Sequence, residues 1–286
     1  MDSIRMYHCP FQQLASKAGI RPGSVSLVAT DPFYDRSFLP QADAFARLAA
    51  HLLRDGGLLV VRYGDYWFDE FYTTIRRYLQ PGRCKLTEVW DGEGNVNYPR
   101  QSVSKTCQHL VFSKGNWQTR RKWIDVVRGR KDKDLHPHQQ PVEVADYIVS
   151  YFSDPGDIVV DPCAGSFTYA AACYRLGRRF IGCDLAESNV RKGFSRIEQE
   201  RATRVEALAV LEGLLRQGAA PTRRSIAKTW ENVSTLPKSS FTFHVGLLPP
   251  ASQALWQALP ESRGRSLGGG GTSTTAYSQT PPTSTT

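Results

Sequence analysis

Three runs of apolar and β-branched residues in this chain end on an acid. SLVATDPFY, residues 26–34, closes on Asp31-Pro32-Phe33-Tyr34. DIVVDPCAGSFT, residues 157–168, closes on Asp161-Pro162, and RFIGCD, residues 179–184, closes on Asp184. A turn explains an Asp-Pro pair, but it does not require the two aromatic rings that follow Asp31. The second and third runs form a set. A strand ends at Asp161, a loop of small residues, Ala164-Gly165-Ser166, leads into helix-forming sequence, and the next strand ends at Asp184. Glycine lets a backbone approach a ligand closely, and the start of a helix offers free N–H groups. An acid at the next strand tip is placed to grip two ribose hydroxyls, as in doubly wound nucleotide-binding folds. The loop is not GxGxxG, and a carboxylate at 161 repels a pyrophosphate. It suits a ligand carrying an ammonium and a sulfonium, which points to S-adenosylmethionine. Read structurally, the same residues make a turn, and Asp184 caps the next helix.

The elements that position these acids follow from periodicity. An opening strand, IRMYHC, precedes the buried strand GSVSLVATD. PQADAFARLAAHLLRDGG has apolar positions at helical spacing (Phe45, Leu48, Ala49, Leu52, Leu53) and a Gly56-Gly57 stop. LLVVRYG is a strand, and FDEFYTTIRRYLQPG is a helix ended by Pro81-Gly82. CKLTEVWD and TCQHLVFSK form a closing pair of strands. PVEVADYIVSYFSDPGD, TYAAACYRLGR and the stretch from 186 to about 217 read as helices. Strand alternating with helix predicts a mostly parallel sheet. Between the two halves lies a basic, irregular stretch in which Trp117 and Trp123 interleave with charges. Residues 266–286 are low in complexity and cannot bury a core.

These motifs resemble the permuted, β-class branch of the amino-group DNA methyltransferases. TDPFY is similar to the family's DPPY motif, DPCAGSFT to its DPFxGSGTT cofactor loop, and HPHQQPVEVADYIVSYF to the helix before that loop. The catalytic motif comes first and the cofactor loop last, as in that branch. The resemblance covers roughly residues 4 to 200. It departs from the pattern at Phe33, where a second proline is usual, at Phe167, where a second glycine is usual, and at Cys163, where an aromatic is usual.

The resemblance implies an α/β, Rossmann-like methyltransferase fold with a seven-stranded mixed sheet, one strand reversed, in circularly permuted order. It implies methyl transfer from S-adenosylmethionine to an exocyclic amine, with adenine N6 favoured by Asp rather than Ser at the motif's head. Such an amine is a poor nucleophile because its lone pair is delocalised. The carboxylate of Asp31 and the carbonyl of Pro32 are implied to hold its hydrogens, beside Phe33, with Tyr34 stacked on a base flipped from the duplex. Thr30, Gln140, Pro141, Asp161, Cys163, Ala164, Gly165, Ser166, Phe167 and Asp184 are the implied cofactor residues. Phe167 is expected either in the adenosyl pocket or turned away at the helix start. No metal is implied.

Residues 1–113 are expected to be the catalytic half, 114–137 a short target-recognition insert, and 138–204 the cofactor half. A helical extension over 205–265 and the tail 266–286 follow. The insert carries Arg120, Arg121, Lys122, Arg128, Arg130, Lys131 and Lys133, a positive field suited to the phosphates of double-stranded DNA. A net charge of +9 agrees with an acidic partner. The opening residues carry no basic region before an apolar run, so a secretory signal is not expected. A cytoplasmic protein associated with DNA, without a membrane, is the expectation; a homodimer is one open state. The six cysteines form no CxxC pair and read as buried thiols. Alternatives are a chain of this ancestry that binds DNA without catalysis, and a methyltransferase for cytosine N4 or RNA.

Overall fold

In the computed structural model the described residues are 3–32, 36–64, 67–91, 94–97, 101–118, 121–130, 140–216, 222, 226 and 245–259. Phe33, Tyr34, Arg120, Lys131, Lys133 and the tail lie outside them. The first half runs β1 (Ile4–His8), α1 (Phe11–Ala18), β2 (Val25–Thr30), α2 (Ala42–Leu52), β3 (Leu53–Tyr63), α3 (Phe68–Ile75) and β4 (Gln80–Asp91). A small ribbon, β5 (Asn95–Asn97) with β6 (Ser102–Ser104), precedes β7 (Thr106–Ser113) and β8 (Val126–Arg130). The second half is α4 (Val142–Phe152), β9 (Ile158–Asp161), α5 (Thr168–Leu176), β10 (Arg179–Asp184), α6 (Glu187–Arg216) and α7 (Pro250–Ala258).

The main sheet has the order β1-β10-β9-β2-β3-β7-β4-β8. All its strands run parallel except β7, which is antiparallel to both β3 and β4. The resemblance implies seven strands with one reversed, whereas the described residues form eight in this sheet. The extra strand is β8, which lies in the stretch expected to be irregular and joins β4 from Thr87↔Val126 to Asp91↔Arg130. Its charges conceal it: Val126, Arg128 and Arg130 are exposed, while Val127 and Gly129 are buried. That alternation is the signature of an edge strand covered on one side.

Helices cover both faces. Alternate residues of the central strands point to opposite cores, as pleating requires. Leu27 and Ala29 join Val144, Ile148, Phe180 and Ile197 beneath α4, α5 and α6. Val28 and Val61 join Leu14, Phe45, Leu52 and Phe71 beneath α1, α2 and α3. Two helices end sooner than the sequence predicts. α2 stops at Leu52 and β3 begins at once, ahead of Gly56-Gly57. α3 stops at Ile75, and Pro81 lies at the start of β4 opposite Phe112. At α2 strand pairing takes residues that local propensity assigns to the helix, and after α3 a turn over 76–79 leads into β4.

α6 is 30 residues long and runs unbroken through the expected boundary at 204 to Arg216. Its distal part forms a separate small core, in which Ala207, Leu211 and Leu215 meet Ile226, Val245 and Leu248. Among the described residues no helix is long and apolar enough to cross a membrane.

Candidate active site

The three acids meet at the carboxyl end of the sheet because their strands are neighbours. Val28 of β2 pairs with Val160 of β9, and Gly182 of β10 pairs with Asp161. Thr30 Oγ1 donates to Asp161 Oδ1 at 2.7 Å, joining the two halves of the chain across 131 residues. The backbone N–H of Cys163 donates to the same oxygen at 3.1 Å. Asp161 is almost fully buried. Burial pushes its carboxyl up to about 7, opposed by those two hydrogen bonds and reinforced by the negative fields of Asp31 and Asp184.

The loop after Asp161 is held from two sides. Gly165 N donates to Asp184 Oδ2 at 2.9 Å, while Ala186 N and the Asn189 amide donate to Asp184 Oδ1 at 2.8 and 3.0 Å. Asp184 therefore caps the start of α6 and ties down the loop at once. Ala164 and Ser166 are buried. The Ser166 hydroxyl meets that of Thr168 at 3.0 Å, and buried Arg196 of α6 donates to the Ser166 carbonyl at 3.2 Å. Gly165 has φ +49°, and a side chain added there would project into open space. Phe167 also has a left-handed backbone, with φ 55°. Its ring is turned away from the loop's open side into the core, with Met6 and Phe180 and directly against Gly193 of α6.

The residues present fit S-adenosylmethionine. A buried carboxyl at 161 would be matched by the ligand's positive charge, and the open space beside Gly165 permits close approach. Gln140 is buried just before α4 with neither end of its amide partnered. A buried unpartnered amide is costly unless a ligand answers it.

Asp31 lies one residue beyond Thr30. Its Oδ2 accepts from Arg62 Nη1 at 2.9 Å, while its Oδ1 is buried and unpartnered. Arg62, from β3, also faces Glu88 Oε2 of β4 at 3.4 Å and Cys107 Sγ of β7 at 3.3 Å. Glu88 Oε2 meets His109 Nε2 at 2.9 Å, and its Oε1 accepts from the Trp90 indole. Burial alone would raise the Glu88 carboxyl, but His109, Arg62 and Trp90 together hold it below the usual range. None of Arg62, Glu88 and His109 stands out in the sequence. Each is one polar residue in a strand, and only the adjacency of β3, β7 and β4 brings them together.

The predicted DNA contacts divide between the two ends of the sheet. Arg130 ends β8 at the carboxyl end, near Arg128, which pairs with Asp91 at 3.2 Å on the surface. Arg121 lies at the amino end, where its guanidinium binds the Ser150 carbonyl and Asp154. Lys122 follows it there. Trp117 and Trp123 of the same stretch pack on Phe152. A cavity of about 300 Å³ opens at this end, lined by Ser26, Arg54, Trp117, Arg121, Asp154 and Asp157. It is remote from the three acids, and its charges answer one another, Arg54 meeting Asp157 at 3.7 Å. Among the described residues no cluster of His, Cys, Asp or Glu is arranged to hold a metal ion.

Known proteins resemble this chain in sequence and in fold. The N6/N4 methyltransferase family, described as DNA methylase, matches residues 85–194. "Putative methylase YubD" of Escherichia coli (strain K12) is 35% identical over 174 residues, 59% of this chain and 69% of that protein. The DNA adenine methyltransferase YhdJ of the same organism is 39% identical over 74 residues, which span 26% of this chain but only 25% of that protein. The fold is similar to that of the M1.HpyAVI–SAM complex, with a TM-score of 0.57 and 21% identity over 68% of this chain and 98% of that one. The chain belongs to the amino-group DNA methyltransferase family.

Proposed function

We propose that the chain transfers a methyl group from S-adenosylmethionine to an exocyclic amine in double-stranded DNA, with adenine N6 as the acceptor. The observation that carries this reading is the hydrogen bond from Thr30 to Asp161. It fixes the end of β2 against the end of β9, which supports setting the unpartnered Oδ1 of Asp31 next to the residues assigned to the cofactor. When bound, S-adenosylmethionine supplies an electrophilic methyl group on a sulfonium. Asp161, the loop from Cys163 to Ser166, Asp184 and Gln140 with Pro141 are the residues assigned to hold it.

Asp31 Oδ1 accepts one hydrogen of the target amine, and the carbonyl of Pro32 accepts the other. Proline fixes the backbone, so this acceptor is set before the base arrives. Holding both hydrogens draws the nitrogen toward a tetrahedral shape and localises its lone pair. Tyr34 is assigned to stack on the flipped base. Adenine is favoured over cytosine by the aspartate that heads the motif and by the likeness to a DNA adenine methyltransferase. A chain that binds DNA without catalysis would be favoured if the Phe167 ring blocked the adenosyl pocket. The burial of that ring in the core removes that ground.

The test is incubation with unmodified duplex DNA and isotopically labelled S-adenosylmethionine, followed by nucleoside mass spectrometry. Labelled N6-methyladenine is expected, and it should be absent with Asp31→Ala. Labelled N4-methylcytosine would reassign the base. No label in either DNA nucleoside, from folded protein that binds DNA, would overturn the reading.

A further inference from the structure

We propose that Arg62 is the positioning residue of Asp31, fixing the carboxylate so that one oxygen alone, Oδ1, is presented to the target amine. This rests on the reading of Asp31 given above. Asp31 and Glu88 flank one guanidinium, and they are treated differently. Glu88 is answered on both oxygens: His109 and Arg62 meet Oε2, and the Trp90 indole meets Oε1. Asp31 is answered on Oδ2 only, by Arg62 Nη1 at 2.9 Å, and its Oδ1 is buried with no partner. A pair whose sole purpose is structural has no reason to leave a buried carboxylate oxygen bare, because that is costly. The asymmetry is what an acceptor awaiting a donor requires.

The guanidinium itself is fixed from the far side. Glu88 and Cys107 hold its Nε, and its carbon lies 5.7 Å from the centre of the Trp90 ring. The Arg62 side chain is largely buried. Arg62 pairs directly with His109 across β3 and β7, and His109 meets Glu88, so three strands lock one planar fork. Burial disfavours the charge, but Asp31 and Glu88 more than compensate, so the fork stays protonated. Asp31 stands at the end of a strand, followed by proline, and has no other recorded side-chain partner among the described residues. Its orientation therefore depends on Arg62. An error of about 1 Å in such an acceptor is enough to cost about 100-fold in rate.

The test compares wild type, Arg62→Lys and Glu88→Gln in steady-state methyl transfer to duplex DNA, with S-adenosylmethionine binding by calorimetry and thermal melting alongside. Lysine keeps the charge and loses the fork. Arg62→Lys is expected to lower kcat by about 100-fold and to leave both KM values and cofactor affinity within about threefold. Glu88→Gln keeps Arg62 but loosens its anchor, and is expected to lower kcat by about 10-fold with the same split. Arg62→Lys with kcat within about threefold of wild type would overturn the inference, since charge balance alone would then suffice. A loss confined to KM would overturn it too. Should Arg62→Lys fail to fold, Glu88→Gln decides: an unchanged kcat refutes the positioning role. Wild-type protein without methyl transfer would instead remove the functional reading, and this inference with it.

Discussion

Under the proposed function, the charge state of Asp161 links cofactor binding to pH. Its carboxyl titrates near 7 in the fold, chiefly because it is buried, against an ordinary value of 3.8. Between those values the folded chain holds a proton that the unfolded chain has released. The ligand-free fold therefore loses stability as pH rises from about 4 to about 7, and the loss levels off above. A ligand bringing an ammonium and a sulfonium has the opposite preference, since it favours the carboxylate. S-adenosylmethionine affinity is expected to rise by up to about tenfold per pH unit below 7 and then to flatten. Asp161→Asn should abolish the slope. Calorimetry across this range checks it, and a flat wild-type profile would sink the assignment. Asp31, Asp161 and Asp184 are legible in the sequence because each ends an apolar run beside a turn residue or a helix start. The partners of Asp31 are not. Arg62, Glu88 and His109 are separated by 26 and 21 positions, and no local pattern marks them as one cluster. Strand order, which no single segment encodes, is what assembles them.

The loop from Asp161 into α5 works as an element because α6 packs against it. Phe167 takes a left-handed backbone that costs a non-glycine residue about 1–2 kcal/mol. Burying its whole ring returns more than that, so the residue that breaks the family's glycine pattern is stable where it stands. The contact demands a glycine on the facing helix instead. A Cβ on Gly193 would lie 2.7 Å from the Phe167 ring and 2.9 Å from Met6 Sδ. Gly193→Ala is expected to destabilise the fold by about 1–3 kcal/mol through overpacking. Phe167→Gly relieves the backbone but opens a cavity, for a net loss of about 2–4 kcal/mol. In the double variant the clash is gone, so the two losses should fall short of their sum; denaturant unfolding of the cycle measures the coupling. Strict additivity would mean that the ring and the helix do not bear on each other. The sequence leaves Phe167 in either of two places, because its direction is set by the room α6 leaves. β8 is hidden for a related reason. VVRGR has only two apolar residues, and its buried face is completed by Pro141 and Val144 from another element.

At the scale of the molecule the two ends of the sheet carry different chemistry, and charge alone does not tell them apart. The chain is basic overall, and a run from Arg120 to Lys133 reads as one positive patch. Because β8 runs along the edge of the sheet from its amino end to its carboxyl end, it splits that patch. Arg121 is tied to Ser150 and Asp154 at the amino end, whereas Arg130 stands at the carboxyl end, where Asp31 and Asp161 also lie. A duplex presenting its base to Asp31 must lie across the carboxyl end, so positive charge helps there and is idle at the other. Arg130→Glu is expected to weaken DNA binding at low salt and to reduce the slope of log affinity against log salt by about 1. Lys122→Glu changes net charge by the same amount, and should leave both affinity and slope near wild type. Fluorescence anisotropy on a short duplex across a salt series separates the two. Equal weakening by both would mean that a diffuse field, rather than a surface at the carboxyl end, holds the DNA. A loss with Lys122→Glu alone would move the duplex to the amino end, where the three acids could not reach its bases.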